Sequence, residues 1–244
     1  MFRSRFVSTV VAAGLLLTAI SGCQPTPATD ATKPTPTTLP TKASPAASAP
    51  STRAAAVAWA DSTYGAFEPF TVTGIGGGEV VLPGNARSGF YTITWTGDHY
   101  TNEDSFPRVI GVDGNLQEGS SAPFAFDVAS VAYGVNPGAG PSGKIVVGAG
   151  GEGWSITVSP ISALPPLPDS GGFDAYLYDG TEREITLKSA NSGRVFLSQY
   201  DGVGTIDTNR GGLDDGSSSV TLLQGPTVVN VFLESTEPWA IIGG

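Results

Sequence analysis

Hydrophobic and polar residues alternate with a period of two in short runs along most of this chain. In residues 90–96, Tyr91, Ile93 and Trp95 share one side, and threonines occupy the other. Residues 154–159 show the same pattern. A period of two with one apolar side indicates antiparallel strands whose other face meets water. Gly, Pro, Asn and Asp separate such runs at intervals of about eight to twelve residues, which is typical of a β-sandwich or barrel. No later segment shows a helical apolar stripe, so we predict an all-β protein.

Part of this pattern occurs twice. Residues 140–156 align without a gap on residues 225–241, and further upstream residues 79–82 resemble residues 184–187. Recurrence of several elements in the same order indicates a duplicated module. A copy of about 75 residues is marginally stable alone without disulfides. We therefore expect two tandem duplicated antiparallel β-sandwich modules packed together, the alternative being one larger sandwich built from both copies.

Each copy closes on a Trp-x-Ile run, which begins at Trp154 in the first copy and at Trp239 in the second. Small or polar residues alternate with the large apolar ones in both runs. A buried indole brings a large apolar area to a core. We therefore expect the two tryptophans to fill the modules rather than to form ligand platforms.

The first residues have the features of an export signal. Arg3 and Arg5 precede an apolar stretch over residues 6–20, which is shorter than the roughly 20 residues of a membrane-spanning helix. Residues 20–23, Ile-Ser-Gly-Cys, then contain the only cysteine of the chain. This tetrapeptide resembles the lipobox of bacterial lipoproteins. The resemblance implies cleavage before Cys23, a diacylglycerol on its sulfur, and attachment to the extracytoplasmic face of the cell membrane. The alternative is an ordinary secretory signal followed by a chance cysteine.

The composition changes after the cysteine. Residues 24–56 are rich in Pro, Thr, Ala and Ser and carry almost no large apolar side chain. Such a segment cannot bury enough surface to offset its ordering entropy, so we predict a disordered spacer. Together with the lipobox and the scarcity of lysine, this spacer resembles those of actinobacterial surface lipoproteins. The expected domains are a signal peptide at 1–22, the lipidated cysteine and spacer at 23–56, module 1 at 57–160, a proline-rich linker at 161–170 and module 2 at 171–244.

Charge limits the partners. The formal net charge is −10, and only Asp30 of the 22 acidic residues precedes the modules. An acidic surface repels nucleic acid and anionic lipid. We therefore expect no nucleic acid partner, and we expect membrane contact through the lipid anchor alone. A neutral cell-wall glycan or an envelope protein remains as a ligand.

Catalytic chemistry has few candidates. His99 is the only histidine, and no Gly-x-Ser-x-Gly elbow accompanies it. Zinc hydrolysis needs several His or Cys ligands, which the chain lacks. Glu182 and Glu184 share one side of a predicted strand, which is more typical of a wet edge than of a glycosidase pair. We expect no enzyme and assign no catalytic residue.

Two sets of residues are candidates for binding. Hard oxygen ligands on a glycine-rich loop suit Ca²⁺, which makes calcium the one cofactor considered, although Asp-Gly is first of all a turn signal. Tyrosines outside the clear core positions can lie flat on a sugar. The calcium candidates are Asp201, Asp207, Asp214 and Asp215, and the ligand candidates are Tyr100, Tyr133 and Tyr200.

Three functions remain open. The first is a non-enzymatic surface module that binds glycan or protein through loops at one end of a sandwich. The second is a structural or accessory lipoprotein that supports an envelope or membrane complex. The third is a carbohydrate-active enzyme, for which the sequence offers the least.

Overall fold

The structure, a computed structural model, describes residues 52–96, 106–117, 128–148, 153–172, 174–189, 195–209, 217–233 and 238–243. The chain divides into two compact units, Met1–Ala46 and Ala47–Gly244. All described residues belong to the second unit. The signal peptide, Cys23 and nearly all of the expected spacer therefore lie outside the described residues.

The described residues of the second unit form one α-helix and fifteen short strands. The helix α1 spans Arg53–Tyr64. The strands are β1 Phe70–Ile75, β2 Gly78–Val81, β3 Gly89–Thr96, β4 Arg108–Gly111, β5 Val128–Tyr133, β6 Ser142–Val147, β7 Gly153–Ser159, β8 Ser170–Gly171, β9 Asp174–Tyr178, β10 Arg183–Ser189, β11 Val195–Tyr200, β12 Thr205–Asn209, β13 Ser217–Leu222, β14 Thr227–Leu233 and β15 Trp239–Gly243.

These strands form four antiparallel sheets that pack in two pairs. Module 1 consists of sheet A, in the order β1-β7-β3-β5, and sheet B, in the order β2-β6-β4. Module 2 consists of sheet C, in the order β8-β15-β10-β13, and sheet D, in the order β9-β14-β11-β12. The prediction of an all-β protein with two packed sandwich modules is confirmed.

The strand order also shows the duplication. In strand order, sheet A corresponds to sheet C: β1, β7, β3 and β5 match β8, β15, β10 and β13. Sheet B corresponds to sheet D in the same way: β2, β6 and β4 match β9, β14 and β11. Only β12 of the second module has no counterpart among the described strands of the first. Pairing of each strand with the same relative neighbours is what a tandem duplication produces.

The register of this repeat differs from the sequence alignment in two places. Residues 79–81 belong to β2, whose counterpart is β9, so the match of residues 79–82 to residues 184–187 in β10 is wrong. The gapless match of 140–156 to 225–241 is also shifted by one residue where β6 is aligned with β14. Ile145 and Val147 are core residues of β6 and correspond to Val229 and Val231 of β14, because sheet pleating lets only alternate residues face inward.

Each module has its own hydrophobic core, and each core contains its closing tryptophan. Trp154 is 5% exposed and Trp239 is fully buried. The indole Nε1 of Trp154 donates to the Gly76 carbonyl at 2.8 Å, and that of Trp239 donates to the Gly172 carbonyl at 2.6 Å. Both acceptors lie in the turn after the first strand of their module. The prediction that these tryptophans fill the modules is confirmed.

The helix α1 is the main departure from the predicted secondary structure. The expectation that no helix follows the signal peptide is wrong, and the helix begins inside the range 23–56 assigned to the spacer. Thr52 caps its N-terminus by accepting the Ala55 N–H at 3.3 Å. Among the described residues, no helix is long and apolar enough to cross a membrane.

The helix lies where the two modules meet. Its fully buried Ala56 and Ala60 belong to a third hydrophobic cluster, which also contains Phe90 of module 1 and Leu177 of module 2. The Arg53 guanidinium donates to the Leu177 carbonyl at 3.3 Å and to the Leu164 carbonyl. A helix with small residues on its inner side can approach both modules closely. This third cluster explains how two small sandwiches are held together without a disulfide.

The expected linker at 161–170 is part of this junction. Ile161 and Leu164 are fully buried in the third cluster, and β8 begins at Ser170. The linker therefore packs against both modules instead of spanning a gap between them.

Candidate functional site

The solvent-exposed part of the outer face of sheet A carries mainly hydroxyl side chains, with Ile75 of β1, 82% exposed, as an apolar exception. Phe90 and Ala132 of the same face are buried in the third hydrophobic cluster. Eight Ser and Thr residues from all four strands point away from the core of module 1, and each is exposed or half-buried. We call them the hydroxyl face: Thr71 and Thr73 of β1, Ser155 and Thr157 of β7, Thr92, Thr94 and Thr96 of β3, and Ser130 of β5.

Strand pairing arranges these residues in straight rows across the sheet. One row runs through all four strands, because Thr71 pairs with Thr157, Thr157 with Thr92, and Thr92 with Ser130. The next row contains Thr73, Ser155 and Thr94. Neighbouring strands lie about 4.8 Å apart, and residues two apart on one strand are separated by roughly 6.6 Å. The hydroxyls therefore form a two-dimensional array.

The first row is partly satisfied by its own members. The Thr71 and Thr157 hydroxyls lie 2.9 Å apart, and those of Thr92 and Ser130 lie 3.0 Å apart. A hydroxyl has one donor and two acceptor sites, so each of these pairs keeps hydrogen-bonding capacity for a ligand. The cross-strand bonds also hold the side chains in place before a ligand arrives.

No charged residue is among the eight, in a chain with 22 acidic residues. The carboxylate of Asp174 lies at the β5 border of the face, where its Oδ1 accepts the Ser130 N–H at 3.2 Å and its Oδ2 accepts the Tyr176 hydroxyl at 3.4 Å. Burial raises the pKa of this carboxyl, while the bonds from Ser130 and Tyr176 act in the opposite direction. The face itself is therefore polar but neutral.

The corresponding face of sheet C also carries hydroxyl side chains, from Thr186 of β10 and from Ser217, Ser219 and Thr221 of β13, but it differs in charge. Its β10 presents Glu184, Thr186 and Lys188 outward, and the two charged residues are exposed. Glu184 pairs with Thr221 of β13, and Lys188 pairs with Ala240 of β15. The two modules share a strand plan, so the neutral array of sheet A is a property of its sequence and not of the fold.

Such an array suits an uncharged ligand that carries many hydroxyl groups. Each Ser or Thr can donate to one ligand oxygen and accept from another. Regular spacing lets several weak bonds form together along an extended polymer. A neutral surface also avoids the desolvation penalty of charged groups.

Two of the predicted ligand tyrosines are core residues, so their assignment to a sugar platform is wrong. Tyr133 is 1% exposed and its hydroxyl donates to the Ala86 carbonyl at 3.0 Å. Tyr200 is 8% exposed within the third hydrophobic cluster. Burial raises the pKa of both phenols, which stay protonated and packed. Tyr100 lies outside the described residues.

Of the four calcium candidates, the structure describes the side chain of Asp201. Asp201 closes its own turn, since its Oδ1 accepts the N–H groups of Val203 at 2.8 Å and Gly204 at 2.9 Å. The intervening Gly202 has φ +85°, so this Asp-Gly pair acts as a turn. Asp207 lies on β12. Asp214 and Asp215 lie outside the described residues. Over the described ranges, no group of three or more His, Cys, Asp or Glu side chains could hold a metal ion.

The remaining acidic candidates are separate from the hydroxyl face. Glu182 and Glu184 are both exposed, and Glu184 lies on the outer side of sheet C. His99 and Cys23 lie outside the described residues.

The sequence itself contains a signal for the hydroxyl face. Within the hydroxyl face, three triplets have a hydroxyl on both sides of one β-branched residue: Thr-Val-Thr at 71–73, Thr-Ile-Thr at 92–94 and Ser-Ile-Thr at 155–157. Ser-Val-Thr at 219–221 has the same form in β13 of sheet C. The alternation predicts that each triplet turns its hydroxyls to water. It does not predict that β7 lies between β1 and β3, which is what joins the triplets into rows.

No protein-family model matches this chain, and a comparison with characterised proteins gives no significant match.

Proposed function

We propose that this protein is a lipid-tethered, non-enzymatic surface module that binds a neutral glycan of the cell envelope through the hydroxyl face. The observation that carries the proposal is the four-strand array of eight neutral hydroxyl residues on sheet A. Its charged counterpart on sheet C supports the assignment to module 1.

The tether is the second part of the proposal. The lipobox-like residues 20–23 would attach the chain to the extracytoplasmic face of the membrane, and the Pro/Thr-rich segment would extend from it. A segment of some thirty residues in a polyproline conformation reaches at most about 90 Å. This reach is enough for a folded module to meet wall polymers while it stays attached.

The test uses the compact unit, fragment 47–244, which contains all four sheets and the three hydrophobic clusters. Purified envelope glycans are separated into neutral and anionic fractions, immobilised, and titrated with the fragment. We expect saturable binding to a neutral fraction, with no requirement for calcium.

Two double variants make the test specific for the hydroxyl face. T94K/T96K places two lysines on the inner strand β3 of the hydroxyl face, and T186K/T221K adds the same charge to the outer face of sheet C. We expect the first to weaken binding at least tenfold, since two neighbouring hydroxyls of β3, one of them in the second row, are replaced by long cationic side chains. The second should bind like the unchanged fragment. Equal binding by all three proteins, or binding of none to any neutral fraction, would refute the proposed surface.

A further inference from the structure

The outer edge of β1 borders the hydroxyl face and is open among the described strands. β1 has six residues and pairs only with β7. An edge of this length presents main-chain N–H and C=O groups to other chains, and natural proteins usually protect it with charges, prolines or very short strands. β1 itself has no charged residue or proline, although Glu68 and Pro69 directly precede it.

The duplicated module shows what a protected edge looks like in the same protein. Its counterpart of β1 is β8, which has two residues and follows the Pro165-Pro166-Leu167-Pro168 segment. β5 and β9, which are the edges nearest the module junction, are close to one another, and Asp174 of β9 accepts the Ser130 N–H of β5. The edge of β1 is therefore open where its counterpart β8 is shortened, and among the described strands the six-residue edge strand β13, which pairs with β10, is a second open edge.

We propose that two copies of this protein pair through β1, edge to edge and antiparallel, and so form a symmetric dimer. Strand addition at an open edge is an established way for main-chain groups to provide affinity, and a twofold contact brings the same surface of each copy together. Each copy carries a formal charge of −10, so two copies repel each other through their acidic surfaces. Contact between them is therefore favoured where the surface is neutral.

The sequence of β1 selects one register. Each side chain stays on its own face of the joined sheet only if odd-numbered residues of one copy pair with odd-numbered residues of the other. Pairing centred on Val72 places Thr71 opposite Thr73 of the partner, which allows cross-strand hydroxyl bonds. The same register brings Ile75, 82% exposed, opposite the exposed Pro69 of the other copy. An apolar side chain that is fully open in one copy is thereby covered.

This pairing has a consequence for the surface of the dimer. The two copies of sheet A would join into one sheet of eight strands, and the rows of hydroxyls would continue from one copy into the other. The inference rests on the open edge and its register, and it does not depend on whether the hydroxyl face binds glycan.

Sedimentation equilibrium of fragment 47–244 over a wide range of concentration tests the dimer. We expect a reversible monomer–dimer equilibrium. T71K/T73K places four lysines side by side in the dimer, and because like charges across an interface cost several kcal/mol, it should raise the dissociation constant more than about a hundredfold. T94K/T96K adds the same charge to the inner strand β3, so it should dimerise like the unchanged fragment while losing glycan binding. Far-UV circular dichroism confirms that each variant is folded.

Cysteine cross-linking tests the register, because the only native cysteine, Cys23, is outside the fragment. A mixture of T71C and T73C fragments should form a disulfide dimer much faster than either variant alone, since opposite residues of an antiparallel pair lie within disulfide range. A fragment that remains monomeric at all concentrations, or a T71K/T73K variant that dimerises normally, would overturn the proposal. Equally fast cross-linking of T73C alone would overturn this register.

Discussion

Replacing Trp239 with phenylalanine should destabilise the protein by about 3 kcal/mol. Trp239 is fully buried, and its indole N–H donates to the Gly172 carbonyl at 2.6 Å. Phenylalanine lacks the indole nitrogen and two ring carbons, and the loss of two buried carbons at about 0.8 kcal/mol each amounts to about 2 kcal/mol. Loss of the hydrogen bond adds about 1 kcal/mol. The sum is a large part of the 5–15 kcal/mol that stabilises a typical domain.

The matching change in module 1 should have nearly the same effect. Trp154 is 5% exposed and makes the equivalent bond to Gly76. The two tryptophans belong to different hydrophobic clusters and share no partner there. W154F should therefore cost about 3 kcal/mol as well, and the double variant should be additive within about 0.5 kcal/mol.

Urea unfolding of fragment 47–244, followed by far-UV circular dichroism, measures these effects without relying on the replaced fluorophores. A loss of about 3 kcal/mol lowers the urea midpoint by about 1–2 M for a slope of about 1.5–3 kcal/mol per molar. W59F is the control, because Trp59 lies half-buried on α1 and outside both module cores, and it should cost no more than about 1 kcal/mol. A loss below about 1 kcal/mol for W239F, or effects in the two modules that differ severalfold, would refute the account of the tryptophans as equivalent core residues.

Three further predictions concern buried polar groups. Gln199 is fully buried; its Nε2 donates to the Thr221 carbonyl at 2.8 Å, and its Oε1 accepts the Leu223 N–H at 2.9 Å. Q199A should therefore lower the unfolding free energy by about 2–4 kcal/mol in urea titrations. A change under about 1 kcal/mol would contradict this. R53A removes the bonds to Leu164 and Leu177 and should cost about 1–3 kcal/mol, whereas an unchanged midpoint would show that the helix does not fasten the junction. Burial raises the pKa of Asp174 above its usual range, so its contribution to stability is fully present below the unfolded-state pKa and is lost as the pH rises through the folded-state pKa. The stability of D174N relative to the native protein should therefore increase from pH 3 to pH 6, and a constant difference would contradict the raised pKa.

Short-range pattern was enough to predict the strands and the duplication. Alternation over residues 90–96 and 154–159 identified β3 and β7, because every second side chain of a strand points to the same face of the sheet. The paired Trp-x-Ile runs identified equivalent closing strands. Pattern failed for α1, whose buried residues are two alanines. Alanine gives a weak apolar signal, and the helix depends on its contacts with both modules.

The sequence by itself determined that this chain forms β-strands with one apolar and one polar face, that two copies of one module follow each other, and that the surface is acidic. It also carried each hydroxyl triplet. Only the tertiary structure decided which strands are neighbours, because hydrogen bonding between strands distant in the chain depends on how the whole core packs. That order corrected the repeat register, placed Tyr133 and Tyr200 in the interior, and joined β1, β7, β3 and β5 into one neutral array.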